Sequence, residues 1–170
     1  MDRRPDLYQR ILGLRAIREY QSTPLTEDDL IAIIEAGRWT GTSKNRQSWS
    51  VVVIRDSAQR DLLAACGDFT DPVRRAPVTL ALVQEDQGYE FDIGRVAQNL
   101  MMAASALGVA SCPVTLHRSE DARMVLGVPE GKTTRYAIAL GYPGGDARAG
   151  RMGGRKPASD FVHQERYGGS

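Results

Sequence analysis

Histidine, cysteine, lysine and aromatic rings are all scarce in this chain of 170 residues. The two histidines are His117 and His163, and the two cysteines are Cys66 and Cys112. Such small numbers build neither a disulfide framework nor a persuasive metal site. No apolar run approaches the roughly 18 residues that a membrane span needs. The opening Met-Asp-Arg-Arg-Pro lacks the apolar stretch of a signal peptide. The expected setting is therefore a reducing, cytoplasmic one, with no membrane and no metal. An excess of one charge is missing too: 22 Lys plus Arg face 21 Asp plus Glu, a net charge of +1. That balance argues against a wholly basic nucleic-acid binder. Hydrophobic residues make up 42% and charged residues 25%, which excludes a disordered or collagen-like chain. The length fits one domain, 1–170.

Lysine occurs only at Lys44, Lys132 and Lys156, so the bases are overwhelmingly arginine, the residue suited to forked contacts with phosphate. They gather at both ends. Arg3, Arg4, Arg10, Arg15 and Arg18 open the chain, and Arg148, Arg151, Arg155, Lys156 and Arg166 close it, in a basic Gly-rich extension over about 143–170. Glu85, Asp86, Glu90 and Asp92 form an acidic stretch between them. Two basic ends converging on one anion would account for this, and so would two solvated tails.

Strand-like and helix-like segments alternate. Pro5 with Leu7, Ile11 and Leu12 predicts a short first helix stopped near Gly13. Thr26 and Asp29 make a capping box in which Asp replaces the usual Glu, ahead of an apolar face at Leu30, Ile33, Ile34 and Ala36. Strands are expected over 49–54, 77–83, 109–115 and 135–142. Ser57 is expected to cap a helix running to Ala65; further helices are expected over 92–107 and 119–126, with a helical turn after Pro157. This order predicts an α+β fold of three layers, a central mixed or antiparallel sheet flanked by helices. The 92–107 helix is apolar nearly all round in its second half, through Leu100, Met101, Met102, Ala103, Ala104, Ala106 and Leu107. A helix without a polar stripe is buried on every side, here either between layers or against a second copy.

Several motifs fail. Gly127-Val-Pro-Glu-Gly131-Lys132-Thr133 imitates a phosphate loop, but only three residues separate the glycines and the segment follows a helix. No G-x-G-x-x-G follows a strand. Cys112 and His117 are not made a dyad by proximity in sequence, and Cys112 sits in an apolar run. Gly150-Arg-Met-Gly-Gly-Arg-Lys156 lacks the interleaved aromatics of a nucleic-acid tail.

What remains is a constellation. Arg15 and Arg18, three apart, would share a face on a helical turn. The polar loop Gly41-Thr-Ser-Lys-Asn45-Arg-Gln47-Ser-Trp49 joins a helix to a buried strand, a common place for ligands in layered folds. Ala110-Ser-Cys-Pro-Val-Thr115 follows the apolar helix, and Arg155-Lys156-Pro157 comes last. Taken in order, these segments resemble the FMN-dependent nitroreductase family over about residues 7–167. Leu14-Arg-Ala-Ile-Arg-Glu-Tyr20 is similar to its flavin-contacting opening, and Thr42 to Trp49 to its Pro-Ser-x-x-Asn-x-Gln-Pro-Trp loop. Asp92 to Pro113 is similar to its central interface helix and flavin-facing strand. Ala139-Leu-Gly-Tyr-Pro143 and Arg155-Lys156-Pro157 match its last core strand and phosphate-binding segment.

The resemblance implies bound FMN, NAD(P)H as co-substrate, a homodimer, and reduction of nitroaromatic, quinone or similar electron-poor acceptors by two-step hydride exchange. It implies a flavin site of Arg15, Ala16, Arg18, Thr42, Ser43, Asn45, Gln47, Pro113, Val114, Thr115, Leu116, Arg155 and Lys156, with Arg18 acting electrostatically and no side chain required as a catalyst. An amide of the Pro113–Leu116 strand would serve the flavin N5, and Thr42 and Ser43 would reach the partner's flavin. The family's first Arg and its Ser fall on Leu14 and Ala16, its loop prolines on Gly41 and Ser48, and its Glu-Gly on Thr115-Leu116. Between Val83 and Asp92 only Gln84–Phe91 remain, where larger members insert lid helices. A flavin-sequestering protein with little turnover, or a pathway-specific flavin dehydrogenase or oxidase, are the alternatives these departures leave open.

Overall fold

The computed structural model describes residues 5–145, 147 and 154–169. Arg3, Arg4, Arg148 and Arg151, counted among the basic ends, lie outside these residues, as does most of the Gly150–Lys156 stretch. In chain order the elements are α1 (Pro5–Gly13), α2 (Glu27–Arg38), a 3-10 turn (Ser43–Asn45), β1 (Trp49–Ile54), α3 (Ser57–Ala64), α4 (Asp71–Arg75) and β2 (Val78–Gln84). Then follow α5 (Glu90–Ala106), β3 (Ala110–Thr115), α6 (Ser119–Val125), β4 (Thr133–Gly141) and a 3-10 turn (Ala158–Asp160).

The strands form one sheet in the order β1-β2-β4-β3, antiparallel throughout. Central β2 and β4 are buried on both faces, which is why they read as continuous apolar runs rather than alternating ones. Alternation sorts them nonetheless. On one face the small residues Ala81, Cys112, Ala137 and Ala139 meet α3, α4 and α6 through Leu63, Val73 and Ala122. On the other, Leu80, Leu82, Ile138 and Leu140 meet α2 and α5 through Leu30, Ile33, Val96 and Leu100. The result is three layers, as the sequence predicts.

Local chemistry sets the helix ends. Thr26 accepts the Asp29 amide at 3.2 Å, half of a capping box. Asp is one methylene shorter than Glu, and the return arm runs through a third residue. The Tyr142 hydroxyl accepts the Thr26 amide at 3.4 Å and donates to the Asp29 carboxylate at 2.6 Å. The α3 cap is Asp56 rather than Ser57: the Asp56 carboxylate accepts the Gln59 amide at 2.8 Å, which leaves Ser57 as the first helical residue. Five-residue α4, with Pro72 as its second residue, is too short to show an apolar period, so it has no sequence signature.

One further expectation is corrected. The segment carrying Arg15 and Arg18 is not helical; α1 stops at Gly13, and the Ile17 amide donates to the Ser111 carbonyl at 3.0 Å. The segment runs extended beside β3, so the two arginines share no helix face. Of the two ways expected to bury α5, the layers of one chain do not suffice. Ile93, Val96, Leu100 and Ala104 form its buried stripe, whereas Met101, Met102 and Ala103 are only half-buried and Ala106 and Leu107 are exposed. Among the described residues no helix is long and apolar enough to cross a membrane.

Candidate functional site

β3 is an edge strand, and its hydrogen-bond alternation determines which of its backbone groups face outward. The Leu116 amide donates to the Arg135 carbonyl at 2.8 Å, continuing the ladder with β4. Residues alternate in an antiparallel pair, so 112, 114 and 116 point their backbone groups at β4, and 111, 113 and 115 point theirs away. The Ile17–Ser111 bond lies on that outer side. Pro113, which has no amide hydrogen, falls at an outward position, where an edge proline costs nothing. The outward amide beyond it is that of Thr115. Of the expected donors in the Pro113–Leu116 strand, Leu116 is thus committed to the sheet. The Val114 and Leu116 side chains lie in the core.

A cavity of about 230 Å³ opens over this edge, lined by Arg18, Phe69, Cys112, Pro113, Thr115 and His117, among others. Arg18 is therefore brought beside Pro113 and Thr115. The loop that carries Phe69 approaches closely because residue 67 is glycine. A β-carbon there would sit 2.7 Å from the Thr115 carbonyl oxygen and 2.4 Å from Thr70 Cγ2. Burial pushes the Cys112 thiol up, with Arg18 only partly opposing it. That thiol stays neutral, in keeping with an inert residue. Arg15 lies further along, at a smaller cavity of about 140 Å³ with Ser105, Val109 and Ser111. Its Nη1 donates to the Leu12 and Leu14 carbonyls at 2.7 and 2.6 Å. Arg15 and Arg18 therefore line adjoining stretches of β3, Arg15 at Val109 and Ser111 and Arg18 from Cys112 onward. Ala16, between them, packs against the core.

The polar loop is built elsewhere. Lys44, Asn45 and Gln47 all have positive φ, 54°, 53° and 52°, a region that non-glycine residues enter at a cost and that clusters at functional sites. The Thr42 hydroxyl accepts the Gln47 amide at 3.1 Å, and Gln47 Nε2 donates to Asn45 Oδ1 at 3.1 Å. Ser43 opens the 3-10 turn. The first turns of α5 hold the loop: Arg95 donates to the Gly41 carbonyl, and Asn99 to the Thr40 hydroxyl at 2.8 Å. Trp49 stands opposite Gln84 and Gln84 opposite Thr133, so this loop is at the same end of the sheet as Thr115. It adjoins β1, however, the opposite edge, three strand spacings or about 14 Å away. In one chain the expected flavin residues thus fall into two groups, Arg18 with the β3 edge and Thr42–Gln47 with the β1 edge.

The remaining pair, Arg155 and Lys156, is exposed on the C-terminal segment ahead of the Ala158–Asp160 turn. The connection from β2 to α5 is short, as expected. Its Glu85 amide donates to the Ser48 carbonyl at 3.1 Å, and Tyr89 and Phe91 are left exposed. Sequence reasoning did not single out Phe69, and it passed over His117. For His117 a signal existed: positions 113, 115 and 117 share a side by simple strand alternation.

Comparison with known proteins gives consistent findings. The model described as the nitroreductase family matches residues 11–91 and 69–142. An NADPH-flavin oxidoreductase of Vibrio harveyi is 27% identical over 179 residues, covering 94% of this chain and 73% of its own. The oxygen-insensitive NADPH nitroreductase of Salmonella typhimurium is 26% identical, covering 92% and 72%. Among solved structures, the NADPH:FMN oxidoreductase of Vibrio harveyi complexed with NAD+ superposes with a TM-score of 0.87 at 26% identity. That match covers 95% of this chain and 78% of the other.

Proposed function

The chain belongs to the nitroreductase family, and from that premise we propose that it is a flavin-dependent NAD(P)H oxidoreductase holding FMN between two copies of itself. Supporting this reading is one juxtaposition: an outward, unpaired strand amide at Thr115 beside the Arg18 guanidinium, over a close approach that only Gly67 permits. These are a donor, a cation and a cradle suited to the polar end of an isoalloxazine ring. When bound, the flavin supplies the two-electron chemistry, taking hydride from NAD(P)H and passing it to an electron-poor acceptor such as a nitroaromatic or quinone.

The chain's own residues do the rest. Arg18 would stabilise the negative charge that the ring gains on reduction. The Thr115 amide donates to the ring edge, and the Pro113 carbonyl faces the same way. Arg15, further along β3, takes the phosphate end with Arg155 and Lys156; guanidinium forks suit a doubly charged ester. Thr42, Ser43, Asn45 and Gln47 reach the flavin from the second copy, since their own β3 edge is three strand spacings away. The half-exposed face of α5, with Met101, Met102 and Leu107, is the apolar seam on which the copies meet. Protons come from solvent, so no acid–base pair is required.

The test is anaerobic. Purified protein incubated with FMN and desalted should stay yellow, and NADH or NADPH should bleach the flavin band, which a quinone then restores. A protein that stays colourless contradicts the reading. One that is yellow but unbleached stores flavin instead of turning it over.

A further inference from the structure

We propose that His117 positions the electron acceptor, its Nε2 hydrogen donating to an oxygen of a planar aromatic molecule seated against Phe69. The inference rests on the flavin-dependent reading above and adds to it a recognition residue. His117 stands two residues beyond Thr115 and lines the same cavity as Arg18 and Pro113. The backbone amide of Asp68 donates to its Nδ1 at 3.2 Å. An N–H can donate only to a bare ring nitrogen, so the neutral imidazole carries its hydrogen on Nε2. The ring is thereby turned into a fixed donor with its acceptor nitrogen already used.

Two neighbours hold that arrangement. Arg118 grips the Asp68 carboxylate at 2.7 Å and reaches the Ala65 carbonyl at 2.7 Å, fixing the loop that supplies the amide. Phe69 meets the imidazole edge-on, with centroids 6.3 Å apart and planes at 69°. Phe69 is 82% exposed; a phenyl ring left in water at a cavity mouth is surface that a planar ligand covers favourably. An apolar ring face beside one N–H donor selects a flat aromatic carrying an oxygen acceptor, which describes nitroaromatics and quinones alike. As electrons reach such an acceptor its oxygen becomes more negative, so the hydrogen bond from Nε2 strengthens as the reaction proceeds. The redox chemistry itself asks nothing further of His117.

The test compares FMN-loaded wild type with H117L, which removes the donor, and H117Q, whose amide N–H can take the Nε2 position. Benzoate, an aromatic oxygen acceptor that cannot be reduced, is titrated against the oxidised protein through its perturbation of the flavin spectrum. H117L should weaken benzoate by about tenfold, the worth of one hydrogen bond to a charged group, and H117Q should recover most of the loss. The rate at which p-benzoquinone reoxidises the reduced protein should fall in parallel, while FMN affinity stays within about twofold of wild type. Equal benzoate affinity in H117L and wild type would overturn the proposal. So would equal losses in both variants, or a loss of FMN affinity in step with benzoate, which would make His117 a flavin ligand. A wild type that fails to hold FMN or to bleach overturns the functional reading itself, and is recognised before any variant is made.

Discussion

The Ile17 amide donates to the Ser111 carbonyl at 3.0 Å, and this single bond docks the N-terminal segment on the outer edge of β3. One residue further on, Arg18 is delivered to the cavity beside Pro113 and Thr115. If the guanidinium serves the ring end of the flavin, Arg18→Ala should raise the FMN dissociation constant about tenfold to a hundredfold, the range for a lost charge-assisted hydrogen bond. Quenching of flavin fluorescence measures it. An unchanged constant would remove Arg18 from the site.

Gly67 offers a second handle on the same edge. Gly67→Ala puts a β-carbon against Thr70 Cγ2 and the Thr115 carbonyl. One of these contacts is with backbone, so the strand edge must move. The expected cost is about 1–3 kcal/mol, or a fall of several degrees in melting temperature at roughly 2–4 °C per kcal/mol. FMN affinity should fall with it. A variant as stable as wild type would mean that the loop is free to retreat.

The Tyr142 bridge between Thr26 and Asp29 predicts a helix-capping defect far from the cavity. Tyr142→Phe leaves the Thr26 amide and the Asp29 carboxylate without their shared hydroxyl, and should cost about 1 kcal/mol. Denaturant melts would register it as a lower midpoint with an unchanged slope. FMN affinity should not move.

Glu35 gives a pH prediction. Hydrogen bonds from Arg38, and then from Trp39, hold its carboxyl down at about 2 against an ordinary 4.5. Because the folded value is depressed, whatever the ionised group contributes is complete above the ordinary range and is lost as pH falls toward the folded value. The Trp39 indole N–H, 2.6 Å from Glu35 Oε1, reports this directly. Its NMR resonance should hold steady from pH 7 down past 4.5 and shift only as pH nears about 2. A midpoint at 4.5 would show that the trio does not persist in solution. Glu35→Gln should abolish the transition.

The sheet was legible because its strands are β-branched runs such as Trp49-Ser-Val-Val-Val-Ile54, bounded by polar loops. Long α5 announced itself by its apolar density. Where the sequence misled, tertiary pairing had overruled local pattern. Arg15 and Arg18 are spaced for a helix, but the segment finds its hydrogen-bond partner on an edge strand, a contact 94 positions away in the chain that no local period reveals. Likewise, that Leu116 spends its amide on Arg135 while Thr115 keeps its amide outward is a matter of register, visible only once β3 is paired. Proximity of Phe69 and His117 depends on the Gly67 turn, and no periodic motif links them.

Holding the flavin between copies is the account's central claim, and mixed assemblies test it most directly. One copy carries Arg18→Ala and the other carries Asn45→Ala with Gln47→Ala, so each homodimer has two impaired sites. Reassembled heterodimers contain one intact site and one doubly impaired site. Titration with FMN should then recover wild-type affinity at half the wild-type stoichiometry. If every mixture binds only as weakly as its parents, the β3 edge and the Thr42–Gln47 loop do not serve the same flavin.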